Sequence, residues 1–249
     1  ERLAHPREGA MARHDAVHQA FTELAPRYEE AMDRELTGFL GQGYTEFVDT
    51  LLESPAVEGG GLILDIATGT ALIPRRLADR VRGPASIVGL DITPAMLEQG
   101  QSRLLSRDFS AVISLVCASG MQMPFPQGVF DLVVCGFGTH HMELSRMLSE
   151  MRRVLKVGGN LVLADVGLPA WWRAFWAGAL LEGLLVAYRL VYRNARSQAE
   201  AAALANVRTA EEWHALLVDS GFIKVDIAES RTRRRWYPRA LTMRAVAGG

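Results

Sequence analysis

The sequence predicts an α/β fold in which helices cover both faces of a doubly wound, mostly parallel sheet of seven strands. Between residues 62 and 166, short β-rich apolar segments alternate with helical ones. These segments are apolar on both sides, as strands covered by helices on each face must be. The chain then ends in two strand-like segments separated by an arginine-rich turn, the pattern of an antiparallel hairpin at a sheet edge.

Taken in order, apolar residues first recur at helical spacing over Asp15 to Tyr28 (Val17, Phe21, Leu24) and over Gly43 to Leu52 (Tyr44, Phe47, Val48, Leu51). A break at Ser54, Pro55 and Gly59 to Gly61 ends this helical layer. Strands are expected at Leu62 to Ile66, Ser86 to Asp91, Ala111 to Ala118, Phe130 to Cys135 and Asn160 to Val166. Helices should follow Thr70 and Pro94 and cross Ser145 to Leu155. Pro74 falls in the first turn of its helix, where a missing N–H costs little, and Gly158 and Gly159 supply a stop before strand five. Beyond Val166, a strongly apolar stretch runs from Trp171 to Tyr192, and helices are expected at Ser197 to Asn206 and Thr209 to Ser220. Strands at Phe222 to Ala228 and Trp236 to Val246 close the sheet.

A single domain spanning 1–249 is expected. It comprises an N-terminal helical cap (about 12–55), a ligand-binding core (about 60–168), a helical lid or insertion (about 169–206), and a C-terminal helix with a hairpin (about 207–249). With 49% hydrophobic residues the chain can bury a full core, and a net charge of −1 gives no general attraction to nucleic acid or anionic membrane. Cys117 and Cys135, the two cysteines, sit in apolar runs that read as buried strands, which argues against a disulfide scaffold and for a reducing compartment. Residues Glu1 to Arg27 carry scattered charges and no apolar signal core, so the expected location is the cytoplasm.

The stretch from Leu62 to Ala71 takes a strand into a turn of small residues (Ala67, Thr68, Gly69) and then a helix, letting a ligand approach the backbone. In dinucleotide folds that turn faces a pyrophosphate, which a carboxylate at Asp65 would repel. Asp65 suits a ligand with cationic groups instead. Asp91 ends the next strand, where an acid can accept two hydrogen bonds from vicinal ribose hydroxyls.

These segments resemble the class I S-adenosylmethionine-dependent methyltransferases, and in particular the ubiquinone and menaquinone biosynthesis C-methyltransferases. Asp65, Ala67, Gly69 and Ala71 match the first motif, with alanines in place of two frequent glycines. Asp91, Ile92, Thr93, Pro94, Ala95 and Met96 match the ribose motif; Met123 to Phe125 before Phe130 and Asp131, and Leu155 to Gly159, match later ones. The resemblance implies a Rossmann-like methyltransferase fold that holds S-adenosyl-L-methionine and releases S-adenosylhomocysteine. Asp65, Ala67, Thr68, Gly69, Asp91, Ile92, Met96, Ser119, Gly120, Met121, Gly136 and Phe137 would line the cofactor. Ser119 departs from the family, which commonly places an acid there for the adenine amino group; a serine oxygen accepts that bond more weakly, and the backbone of Gly120 and Met121 could complete the contact. Phe21 to Tyr28 resembles the family's N-terminal helix, so Tyr28 either closes over the methionine end of the cofactor or simply packs.

His140 and His141 follow strand four, where parallel sheets place ligands. Either could take a proton from a substrate hydroxyl, or could pack or cap the next helix. No Cys, Asp or Glu lies at matching ligand spacing, so no metal is expected. In Trp171 to Tyr192, Arg173, Glu182 and Arg189 would each cost about 2.5 to 3.5 kcal/mol at mid-bilayer. A buried helix or a lid over a lipophilic pocket fits that stretch, with peripheral membrane contact as the alternative. Arg231, Arg233, Arg234 and Arg235 read as a solvated turn, and no nucleic-acid partner is expected.

The sequence thus points to methyl transfer onto a small, partly apolar acceptor such as a quinone precursor or a phenol. The competing readings are a protein of this fold that binds the cofactor without transferring methyl (a cyclase or partner subunit) and, more distantly, an NAD-dependent oxidoreductase.

Overall fold

A computed structural model of the chain describes residues 17–168, 206–230, 232 and 239–249. Helix α1 (residues 17–24) runs through a 3-10 turn at Ala25–Arg27 into α2 (Tyr28–Leu40), followed by α3 (Tyr44–Leu51) and the short α4 (Pro55–Glu58). The core then alternates β1 (Gly61–Ile66), α5 (Leu72–Ala78), β2 (Ala85–Asp91), α6 (Pro94–Leu104) and β3 (Val112–Cys117). After β4 (Phe130–Gly136) come a 3-10 turn at Thr139–His141, α7 (Leu144–Val154), β5 (Leu155–Gly167), α8 (Ala210–Asp219), β6 (Phe222–Glu229) and β7 (Arg239–Ala247).

The strands form one sheet in the order β3-β2-β1-β4-β5-β7-β6. Strands β1 to β5 pair in parallel, and β7 inserts antiparallel between β5 and β6. The order reverses between β1 and β4, so the turns after these neighbouring strands diverge and leave a crevice at their carboxyl ends.

Side-chain alternation divides the core. Ile63, Leu132, Val134 and Val162 face one layer, packed by α2, α3, α5 and α6. Leu64, Ile66, Val133, Leu161 and Leu163 face the other, packed by α7 and by Trp213 and Leu217 of α8. This parity puts Asp65 on the face of Ile63, under the N-terminal helices. Helix α8 is held at its start by a capping box: the Thr209 hydroxyl accepts from the Glu212 N–H, and Glu212 accepts from the Thr209 N–H.

Four expectations change. Helix α2 falls where no helix was read, because its charged run (Glu29, Glu30, Asp33, Arg34, Glu35) hides a sparse apolar stripe of Ala31 and Leu36. Pro26, which has no N–H to donate, sits in the 3-10 turn that divides the first helix from the second. Strand β5 starts at Leu155 rather than Asn160. Leu155 pairs with Phe130 before a register shift, and Gly158 takes a positive φ of 79° there, so the glycines mark an irregularity within the strand and not a stop before it. Cys117 is exposed, because β3 is an outer strand of the sheet, whereas Cys135 is buried in β4.

No helix among the described residues is long and apolar enough to cross a membrane. The stretch from Trp171 to Tyr192, the helix expected at Ser197 to Asn206 except for Asn206 itself, and the four turn arginines lie outside the described residues.

Candidate functional site

The candidate site lies at the carboxyl ends of β1, β2, β4 and β5. Strand β1 passes into a turn in which Ala67, Gly69 and Ala71 all adopt positive φ (56°, 53° and 60°). The Thr68 N–H donates to the Leu90 carbonyl (3.0 Å), which ties this turn to β2. Gly138, in the turn after β4, lies so close that a Cβ on it would sit 2.5 Å from that of Ala67.

Asp65 is fully buried, and neither carboxylate oxygen has a hydrogen-bond partner among the described residues. Burial pushes its carboxyl well above the usual range; the nearby Thr68 hydroxyl opposes that shift, and the neighbouring Asp91 adds to it. A buried, unpaired carboxylate is costly, so this is a place where a cationic group would be strongly favoured.

Asp91 is built into the scaffold. One of its oxygens accepts from the Gly69 N–H (2.8 Å) and the other from the Thr93 N–H (2.8 Å). Burial raises its carboxyl above the usual value, and these two donors oppose the shift. Each oxygen keeps a second lone pair. Ile92 and Met96 follow; Met96 is buried in the core layer beneath α6.

The Ser119 hydroxyl accepts from the Met121 N–H (3.2 Å), and Ser119 pairs with Gln122 across a tight turn. Gly120 in that turn lies so close to Ile66 that a Cβ on it would sit 2.9 Å from the Ile66 side chain. Gly136 ends β4 against Ile73, and Phe137, at a φ of 57°, stacks on Phe47 at 4.8 Å. The segments that follow β1, β2 and β4 and the turn at Gly120 are therefore in contact at the carboxyl ends of the strands.

Tyr28, at the start of α2, covers this crevice: its ring carbon Cε1 lies 3.5 Å from the position of a Cβ on Gly69. The ring meets that of Tyr44 edge-on at 6.1 Å. Burial, followed by the charges of Tyr28 and Asp65, raises the Tyr44 phenol well above its ordinary value. Tyr44 was legible only as one apolar position of α3, since helical periodicity does not distinguish a core tyrosine from one beside a carboxylate.

The two histidines part company. His140 Nδ1 meets Asp165 at 2.5 Å, and the His140 N–H donates to the other oxygen of Asp165 (2.9 Å), which also accepts from the Thr139 hydroxyl. Burial works to raise the Asp165 carboxyl, but the contacts with His140 and Thr139 hold it below the usual range, so it is ionised. An anion at Nδ1 keeps a proton on that nitrogen, so His140, when neutral, carries its basic lone pair on Nε2. His141 has its Nδ1 buried without a hydrogen-bond partner among the described residues and packs edge-on to Phe21 at 5.1 Å. Burial and the adjacent His140 lower its pKa to about 3, so its ring is neutral and weakly basic. Asn206 closes the loop by donating to the carbonyls of His140 (3.1 Å) and Met142 (2.9 Å). Asp165 went unread in the sequence, although it carries the same signal as Asp65 and Asp91: an acid at the carboxyl end of an apolar strand.

Residues 10–175 match the model of the ubiE/COQ5 methyltransferase family. The chain is 31% identical over 156 residues to the ubiquinone/menaquinone biosynthesis C-methyltransferase UbiE of Geobacter sp. strain M21, covering 62% of this chain and 65% of that protein. It is 29% identical over 165 residues to the demethylmenaquinone methyltransferase of Listeria monocytogenes, covering 65% of this chain and 68% of that protein. The matched region therefore spans slightly less than two thirds of the first of these relatives. Among solved structures, the [4+2]-cyclase SpnF superposes with a TM-score of 0.68 over 93% of this chain and 95% of that one, at 16% identity, which shows a shared fold. With a family match that takes in the Asp65 turn, Asp91 and the histidine loop, the chain belongs to the ubiE/COQ5 methyltransferase family.

Proposed function

We propose that the protein transfers a methyl group from S-adenosyl-L-methionine to a small, partly apolar acceptor. The observation that carries this reading is Asp65, a buried carboxyl at the end of β1 with no hydrogen-bond partner among the described residues. The ammonium of the cofactor's methionine end would supply the missing cation. A pyrophosphate in the same turn would instead face a carboxylate, which disfavours a nicotinamide dinucleotide. The remaining lone pairs of Asp91 suit the two ribose hydroxyls. Ala67, Thr68 and Gly69 would border the methionine end, with Tyr28 over it. Ile92, Met96, Ser119, Gly120 and Met121 would border the nucleoside, and Gly136 and Phe137 the sulfur.

When bound, the cofactor supplies a methyl on a cationic sulfur, ready for in-line displacement. The chain's part is to align the acceptor, exclude water and manage one proton. His140, oriented by Asp165, is the base that takes a proton from an acceptor hydroxyl at Nε2. His141 packs beside it as a neutral ring.

Relatives named for ubiquinone and menaquinone biosynthesis make a quinone precursor the first acceptor to test. The apolar stretch from Trp171 to Tyr192 is consistent with a lipophilic acceptor and with a lid or a membrane-surface contact. The experiment follows radiolabelled methyl from the cofactor onto a panel of reduced quinone precursors and phenols. Labelled product lost in His140→Gln supports the proposal. Tight binding of S-adenosylhomocysteine with no label on any acceptor would favour a protein that uses the cofactor without transferring methyl.

A further inference from the structure

Because Asp65 lies fully buried beneath Tyr28 and Tyr44, the cofactor's charged end can reach it only if the N-terminal helices move aside. What holds these helices down is therefore what governs exchange. Glu29 is the residue next to Tyr28, and its carboxylate bridges α2 to three points on the core. Its Oε1 accepts from the Thr70 hydroxyl at 2.6 Å and from Arg75 at 2.5 Å, and it pairs with Arg103 at 3.3 Å. Thr70 is buried and directly follows Gly69, so the bond joins α2 to the cofactor turn itself. Arg75 and Arg103 reach the same oxygen from α5 and α6, with about a quarter of each side chain exposed. The far end of the segment has its own joint: Gly41 ends α2 at a φ of 82°, and Asp33 accepts from the Tyr44 N–H at 2.9 Å.

We infer that Glu29 is a positioning residue, a latch that sets Tyr28 over the Gly69 turn and so controls how fast the S-adenosyl cofactor enters and leaves. The inference rests on the cofactor reading above. Opening breaks one carboxylate's contacts with two partly exposed guanidinium groups and one buried hydroxyl, a handful of polar contacts outside the apolar core, so the latch can release without unfolding it. Glu29 touches neither reacting atoms nor the acceptor loop. Its loss should act on cofactor retention and not on the methyl-transfer step.

The test compares wild type with Glu29→Gln, Glu29→Asp and Thr70→Val, using stopped-flow release of S-adenosylhomocysteine and steady-state kinetics in the cofactor. Glu29→Gln should release the product about tenfold faster and raise the cofactor KM about tenfold, with the single-turnover methyl-transfer rate within twofold of wild type. Glu29→Asp should recover part of the effect, and Thr70→Val should speed release about threefold. A Glu29→Gln protein with lowered Tm and unchanged release would overturn the latch and leave a structural ion pair. If Glu29→Gln fails to fold, Thr70→Val decides: unchanged release overturns the proposal. Wild type that fails to bind S-adenosylhomocysteine at all would sink the cofactor reading instead, an outcome distinct from either.

Discussion

At the scale of single residues, the site depends on what surrounds each carboxylate. Asp65 and Asp165 are both buried acids at strand ends, yet among the described residues the first has no hydrogen-bond partner and the second has several. Their carboxyls accordingly shift in opposite directions. Asp165→Asn should release the constraint on His140 and lower kcat about a hundredfold, with little change in cofactor affinity, as steady-state kinetics would show. His141 carries a different signature. Its folded pKa of about 3 lies below the unfolded value, so the unfolded chain binds more protons between the two and stability is lost as pH falls from about 6.5 toward 3. His141→Phe, which keeps an aromatic ring against Phe21, should recover about 2 kcal/mol at pH 5 and nothing at pH 8, measured by urea unfolding. The sequence offered both histidines equally, because adjacent imidazoles differ only through neighbours that lie elsewhere in the chain.

At the scale of elements, the close approach of the turns after β1 and β4 shapes the crevice. Ala67 and Gly138 meet there, and Ala67 sits at a φ of 56° that an alanine side chain disfavours. Gly138→Ala should destabilise the fold by about 1 to 3 kcal/mol through overpacking. Ala67→Gly should stabilise by about 1 kcal/mol, since it removes both the strained Cβ and a neighbour. The double substitution should recover most of the loss, and a thermal unfolding cycle of the four proteins checks this; simple additivity would contradict the contact. Most elements were legible in the sequence because alternating strands and helices leave periodic apolar signals. Helix α2 was not, since its stripe is thin and Pro26 interrupts the pattern with the preceding helix. The irregular start of β5 was hidden too: Gly158 and Gly159 serve equally well as a helix stop or inside a strand, and only pairing with Phe130 and Leu132 decides.

At the scale of the whole molecule, the reversal of strand order between β1 and β4 brings together an acid from β1, an acid from β2 and a histidine after β4, while the N-terminal helices form the cover. The sequence revealed the parts on the sheet because each lies at the end of its own apolar strand. It did not reveal the cover's attachment through Glu29, or Tyr44 beside Asp65, because those contacts join segments far apart in the chain. The central claim is that Asp65 waits for a cation, and it has a consequence for protons. With its folded pKa raised, Asp65 in the free protein contributes stability that is present below about pH 4 and lost as pH rises through the folded pKa. An ammonium placed against it favours the carboxylate, so at any pH where free Asp65 holds its proton, binding releases it. Titration calorimetry with S-adenosylhomocysteine in two buffers of different ionisation enthalpy tests this most directly. The account predicts a buffer-dependent heat showing net proton release, with affinity at least tenfold weaker and the buffer dependence gone in Asp65→Asn. Tight binding of NAD with no response to S-adenosylhomocysteine, or equal proton-independent binding by both proteins, would contradict it.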